Sequence, residues 1–152
     1  MRLRSYDRLR VAFSVAGLLI AGYLTLLHYD SNVPLVCSGG PLVNCEQVLT
    51  SASAFMLGVP VAVWGLVWFV VALVLALLTS RAGERAEPAW LRAAGFGWVL
   101  AGTANVLWLV YQELGVVGKI CAWCTAIHVL VLALLVIQVM SDPLRPRAGQ
   151  AS

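Results

Sequence analysis

A chain of 152 residues that is 61% hydrophobic and only 11% charged lacks the composition of a soluble domain, where about a quarter of residues are charged. Its net charge of +3 is modest and no basic run interleaves with aromatics, which excludes a nucleic-acid partner as a reading. The length allows one domain, 1–152, and the composition places it in a membrane.

Residues 1–10, "MRLRSYDRLR", are a basic leader, and the stretch 11–29 behind them carries no charge. A helix needs about 20 residues to cross a bilayer, so 11–29 is long enough. No small-x-small cleavage site follows it, and it is longer than a signal-peptide core, so it reads as a retained first span. His28, at its outer end, reads as an interfacial histidine. After a loop over 30–55, three further charge-free stretches predict spans at 56–80, 93–112 and 120–141. Pro60 is tolerable in a first helical turn, and the polar turn 83–90, "GERAEPAW", carries Pro88 where a helix can begin. Gly95, Gly97 and Gly102 in the third span are small enough to let helices approach closely in lipid. Asn105, polar within lipid, is either a functional group or half of a helix–helix hydrogen bond. Tryptophans 64, 68, 90, 98 and 108 read as membrane anchors or packing, and the tail "SDPLRPRAGQAS" as a frayed end. Four spans with short joins predict an all-α membrane protein, an up-down-up-down four-helix bundle.

Nine arginines flank these spans unevenly. Arg2, Arg4, Arg8 and Arg10 precede the first, Arg81, Arg85 and Arg92 lie around the middle connection, and Arg145 and Arg147 follow the fourth. The other two connections hold a single cation, Lys119. The positive-inside rule then puts both termini in the cytoplasm, with the loop 30–55 and the turn 113–119 outside. These outer connections adjoin all four cysteines, and in bacteria that compartment is oxidising.

Within the outer loop, "CSGGP" reads as a turn and "NCEQVLTSASAF" (44–55) as a short helix capped by Asn44, with Gln47 three residues on as in a capping box. Val48, Leu49, Ala52 and Phe55 share one side at helical spacing, so the helix would lie apolar face down on the bundle like a lid. Cys45 then falls in its first turn, where the helix dipole favours a thiolate.

The cysteines form two pairs, Cys37 with Cys45 and Cys121 with Cys124. Three readings compete: a loop staple with an inert second pair, four thiolates around a metal, and redox exchange. A metal-binding or transport protein would use suitable ligands, but structural zinc sites space the first pair by about two to four residues and here seven intervene. Redox exchange accounts for more. Cys121 and Cys124, at i and i+3, share a helix face, Lys119 adds a cation nearby, and His128 continues the stripe about 5–6 Å deeper. A dithiol at the mouth of an apolar span can meet both water-borne thiols and a lipid-borne electron acceptor.

These residues resemble the vitamin K epoxide reductase family. The bacterial pattern of Val-Cys, Val-Asn-Cys-Glu, a serine and a Gly-x-Pro opening the second helix is met by "VCSGGPLVNCEQVLTS" and "LGVPVAVWGLVWF", followed by "CAWC" at the fourth helix; "GYLTLLHY" ending the first span is similar too. The resemblance covers nearly all of 11–140. It implies a four-helix bundle around a quinone and a relay through Cys37, Cys45, Cys121 and Cys124. By position, Cys45 takes electrons from a partner protein, Cys37 passes them to Cys121, Cys124 faces the quinone, and Ser51 links loop to active site. His128 stands where vertebrate members place a quinone-contacting tyrosine, and the vertebrate asparagine of the second helix is replaced near Val61, so simple quinone reduction is expected rather than epoxide reduction. Trp123, inside the motif, and Asn105 are further candidates to shape the quinone site, and His128 is either a quinone contact or buried packing. The resemblance thus implies a monomeric thiol:quinone oxidoreductase of the bacterial cytoplasmic membrane. Its acceptor would be ubiquinone or menaquinone (a vitamin K-type quinone), with no metal. With no thioredoxin-like domain after the fourth span, the donor is expected to be a separate extracytoplasmic thioredoxin-fold oxidase.

Overall fold

Each charge-free run becomes one long helix, because a backbone in lipid must satisfy its own N–H and C=O groups. The computed structural model describes residues 2–37, 40–82 and 87–141. Four of its helices are long and apolar enough to cross a membrane: α1 (Arg2–Tyr29), α3 (Val61–Ala82), α4 (Ala89–Tyr111) and α5 (Ala122–Ser141). The short helix α2 (Cys45–Thr50) stands between α1 and α3. α1 packs most extensively on α3 and also on α5, α4 packs on α5, and α3 and α4 share the smallest of these four contacts. The centre is filled from all four: Ala21, Phe69, Val106, Val131 and Leu134 form one buried cluster. Gly17 of α1 is required there, since a Cβ would fall 2.1 Å from the Phe69 ring. Outward-facing Leu19, Val67, Leu107 and Val129 are exposed, the surface that hydrocarbon would cover.

The bounds differ most from expectation in four places, each for a local reason. α1 starts at Arg2 rather than 11, because the leader is packed: Arg10 is buried and donates to Ser141 Oγ at the end of α5, and Asp7 is buried beside it in sequence. The second span starts at Val61 rather than 56. Residues 55–60 form a small antiparallel hairpin, β1 (Phe55–Met56) with β2 (Val59–Pro60), turning through Leu57 and Gly58 at φ 56° and 77°. The lid helix ends at Thr50, followed by a 3-10 turn over Ala52–Ala54. Thr50 and Ser51 hydroxyls donate to Glu46 and Val48 carbonyls, local bonds of the kind that compete with helix continuation. Val48 is buried and Leu49 half-buried as expected, but Ala52 and Phe55 are exposed. Finally, α4 runs on into a π-helical turn, Gln112–Val117, where the sequence suggested an ordinary outer turn.

Pro88 stands directly before Ala89 of α4, and Glu87 is buried, with its Oε1 accepting from Thr79 at 3.3 Å. Of the expected turns, residues 38–39 and 83–86 lie outside the described residues, as does the tail beyond Ser141. Gly102 meets a neighbouring helix closely and Gly95 faces Gln138, whereas Gly97 has nothing within 4 Å.

Candidate active site

The loop between α1 and α2 is held against the bundle both before Cys37 and after Gly40. On the N-terminal side, the Tyr23 hydroxyl donates to the Pro34 carbonyl and accepts from the Val36 N–H, at 2.9 and 3.1 Å. Trp123 packs edge-on against Tyr23, ring centroids 5.2 Å apart, and its Nε1 donates to the Val36 carbonyl at 2.7 Å. On the C-terminal side the loop pairs like a parallel strand with the residues before α5: the Ile120 N–H donates to Leu42 O at 2.9 Å and the Asn44 N–H to Ile120 O at 3.1 Å. Lys119 Nζ donates to Pro41 O at 2.8 Å, so the one outer cation secures the loop and is not aimed at Cys121. Asn44 caps α2 as expected, its side chain accepting from the Gln47 N–H.

These moorings set the depth of each thiol. Cys37 and Cys45 are joined in a disulfide, and Cys121 and Cys124 are free. Cys45 is 1% exposed and packs with Cys121 and Val48 in one buried cluster, while Cys37 is half-buried at the cluster's margin. Depth therefore runs opposite to the expected order, in which Cys45 received a partner protein. The parallel pairing of 43 with 120 carries Cys45 inward and leaves Cys37 toward the surface.

Cys121 stands one residue before α5 instead of inside its first turn. Its Sγ accepts from the Cys124 N–H at 3.3 Å, and its carbonyl accepts from the Thr125 N–H at 2.9 Å, so Cys121 acts as the helix cap. A hydrogen bond to sulfur favours the charged thiolate. Cys124, half-buried, packs against this cluster and also lines a cavity of about 770 Å³ between the bundle and the loop. A volume of that size accommodates a small organic ligand.

The cavity wall is apolar over most of its area, with Leu24, Trp68, Phe69, Val106 and Ile127 contributing, and its polar groups are few. Cys124, His128, Asn105, Ser51, His28 and Glu113 all line it. His128 is 6% exposed, one turn beyond Cys124, as the stripe required. Ser51 reaches the wall although its hydroxyl is spent on its own turn. His28 makes edge contacts with Phe55 and Tyr29 at the cavity's outer edge. Trp123 corrects an expectation: it faces the loop, not the cavity. Gly102 sets the depth of the cavity floor, because a Cβ there would fall 2.4 Å from the Trp68 ring and force the indole away. Trp68 in turn stacks on Trp98, centroids 6.2 Å apart, while Trp98 Nε1 donates to the Trp68 carbonyl.

Glu113 was not anticipated. It is 8% exposed, and its carboxyl lies beside the Cys124 thiol and the Cys121 backbone amide. The signal was present in the sequence as an acid at the end of a charge-free run, eight residues before Cys121.

A family model described as the vitamin K epoxide reductase family matches residues 8–139, a range that takes in most of every span, the loop between α1 and α3 and all four cysteines. The chain belongs to the vitamin K epoxide reductase family. Members are helical bundles embedded in a membrane, and their chemistry is oxidoreduction of thiols and quinones. The vitamin K epoxide reductase assignment suits the donor set: a largely apolar cavity with one thiol and a few hydrogen-bonding groups matches a flat quinone ring with two carbonyl acceptors. The pairing of Cys37 with Cys45 also leaves two free thiols where the metal reading needed four.

Proposed function

We propose that this family member is a thiol:quinone oxidoreductase that reoxidises a thioredoxin-fold disulfide oxidase outside the cytoplasm. The observation that carries the reading is the line of sulfurs from the half-buried Cys37, through the buried pair Cys45 and Cys121, to Cys124 in the cavity wall. The distribution of arginines supports placing the termini in the cytoplasm and the loop outside. Exposed Val36 and Leu42, on either side of Cys37, offer an apolar footing for a donor in trans.

The roles of the loop cysteines are the reverse of those the resemblance implied. A donor thiolate attacks Cys37, the bond to Cys45 breaks, and the donor's second thiol resolves the mixed disulfide, leaving Cys37 and Cys45 as thiols. Cys45 then attacks Cys121 of an oxidised Cys121–Cys124 pair and frees Cys124 as the thiolate. Cys37 resolves the Cys45–Cys121 bond, which restores the loop disulfide and leaves two electrons on Cys121 and Cys124. A disulfide on the loop with thiols on α5, as found here, is the arrangement that follows this handover. A quinone, ubiquinone or menaquinone, supplies a two-electron, two-proton acceptor when bound. Cys124 faces it, His128 and Asn105 offer hydrogen bonds, and the apolar wall excludes water.

The reading is tested with purified protein in lipid, reduced dithiol and a soluble quinone. Dithiol-dependent quinone reduction that needs all of Cys121 and Cys124 supports it, and zinc bound in stoichiometric amount with no quinone reduction sinks it. His128→Phe keeps the bulk of the ring and removes its hydrogen bond. The expected outcome is acceptor binding weaker by about 1–3 kcal/mol, roughly 5- to 150-fold in KM, with helix content by circular dichroism unchanged. A KM equal to that of the wild type would leave His128 as packing.

A further inference from the structure

One buried acid in the site has no part in the relay of sulfurs. Glu113 sits in the π-helical turn that ends the third span, and the backbone wraps around it: the Gly118 and Lys119 N–H groups both turn back to the Glu113 carbonyl, with Gly118 left-handed at φ 65°. Such π turns recur at functional sites because they re-aim a side chain that a regular helix would leave elsewhere. Here the turn places an 8%-exposed carboxyl in the cavity wall, beside the Cys124 thiol and the Cys121 amide. A buried acid of this kind is costly unless it is used or paired. Lys119, the nearest cation in sequence, spends its ammonium on the Pro41 carbonyl.

We propose that Glu113 is the proton acceptor for Cys124, taking the proton from Sγ as that sulfur gives up electrons and releasing it into the cavity. This rests on the reading of the chain as a thiol:quinone oxidoreductase. The step balances: Cys121 and Cys124 lose two protons and two electrons in forming their disulfide, and the quinone gains both, with Glu113 regenerated as the carboxylate. One proton travels by Glu113; the Cys121 proton is the second. The other titratable groups lining the cavity are His128 on α5, Glu46 on α2 and His28 on α1, α3 contributes none, and Cys121 packs against Cys124 from the buried cluster outside the lining. None of these but Cys121 stands against the Cys124 sulfur among the described contacts.

The test separates this step from the overall reaction. In reduced, quinone-free protein, the rate of Cys124 alkylation by iodoacetamide is followed against pH by mass spectrometry. A proton shared between Glu113 and Cys124 gives the wild-type profile one step beyond those of the two neighbouring thiols. Glu113→Gln is expected to lose that step, and Glu113→Asp to keep it. With dithiol and quinone present, Glu113→Gln should be roughly 100-fold slower near neutral pH and recover as pH rises and the thiolate forms unaided. Glu113→Asp should retain the wild-type profile at a lower rate. A Glu113→Gln alkylation profile superimposable on that of the wild type overturns the proposal, as does an unaltered pH–rate profile. If Glu113 shapes the alkylation profile but no variant, wild type included, reduces quinone, the proton pairing stands and the functional reading falls.

Discussion

Cys124→Ser is expected to reduce quinone at no more than the uncatalysed rate, whether the electrons come from a thioredoxin-fold protein or from a small dithiol. The serine keeps the backbone N–H that donates to Cys121 Sγ, so the start of α5 and the cap at Cys121 survive the change. It also keeps the size of the side chain in the cavity wall. What it cannot do is form a disulfide with Cys121, and without that bond two electrons cannot leave the thiols together. Because Cys124 is the only cysteine that lines the cavity among the described residues, no other sulfur can stand in for it. Spectrophotometric quinone reduction by the folded variant checks this. Turnover like that of the wild type would remove Cys124 from the mechanism.

A single-cysteine form of the donor should be captured by the wild-type protein on Cys37, and peptide mapping after acid quench should find no adduct on Cys45. The donor thiolate needs an unobstructed line to a disulfide sulfur. Cys45 is 1% exposed beneath the loop, and Cys37 stands at the cluster's margin next to exposed Val36. Cys37→Ser should accordingly lose donor-protein turnover while a small dithiol, which can enter the cavity and reduce the α5 pair directly, still supports quinone reduction. An adduct mapped to Cys45 would restore the order that the family resemblance implied.

The burial of Cys45 below Cys37 shows where sequence reading reaches its limit in this chain. The spans were legible because lipid tolerates no charge and no unpaired backbone, so length and composition decide them. The Cys-x-x-Cys pair and His128 were legible because helical periodicity alone puts them on one stripe. The depth of Cys37 and Cys45 was not, since it depends on pairing residue 43 with residue 120, a contact between distant parts of the chain with no local signature. The lid was shorter than its apolar spacing implied because Thr50 and Ser51 hydroxyls bond their own turn, and because Leu57 adopts a left-handed turn that its residue type does not announce. Trp123 was assigned to the quinone side because it lies inside the motif, yet its indole N–H is drawn to the Val36 carbonyl. Glu113 was read as a polar loop residue, and only the π turn brings it back over Cys124.

The paired moorings of the loop also bear on rate. Tyr23 and Trp123 fix residues 34–36, and Ile120 fixes 42–44, so the chain is held just before Cys37 and just before Cys45. Cys45 is thereby tethered to Cys121 at a high effective concentration, and the internal exchange becomes a unimolecular event independent of how much protein the membrane holds. In the proposed relay, the encounter of a donor protein with Cys37 is then the step that dilution slows.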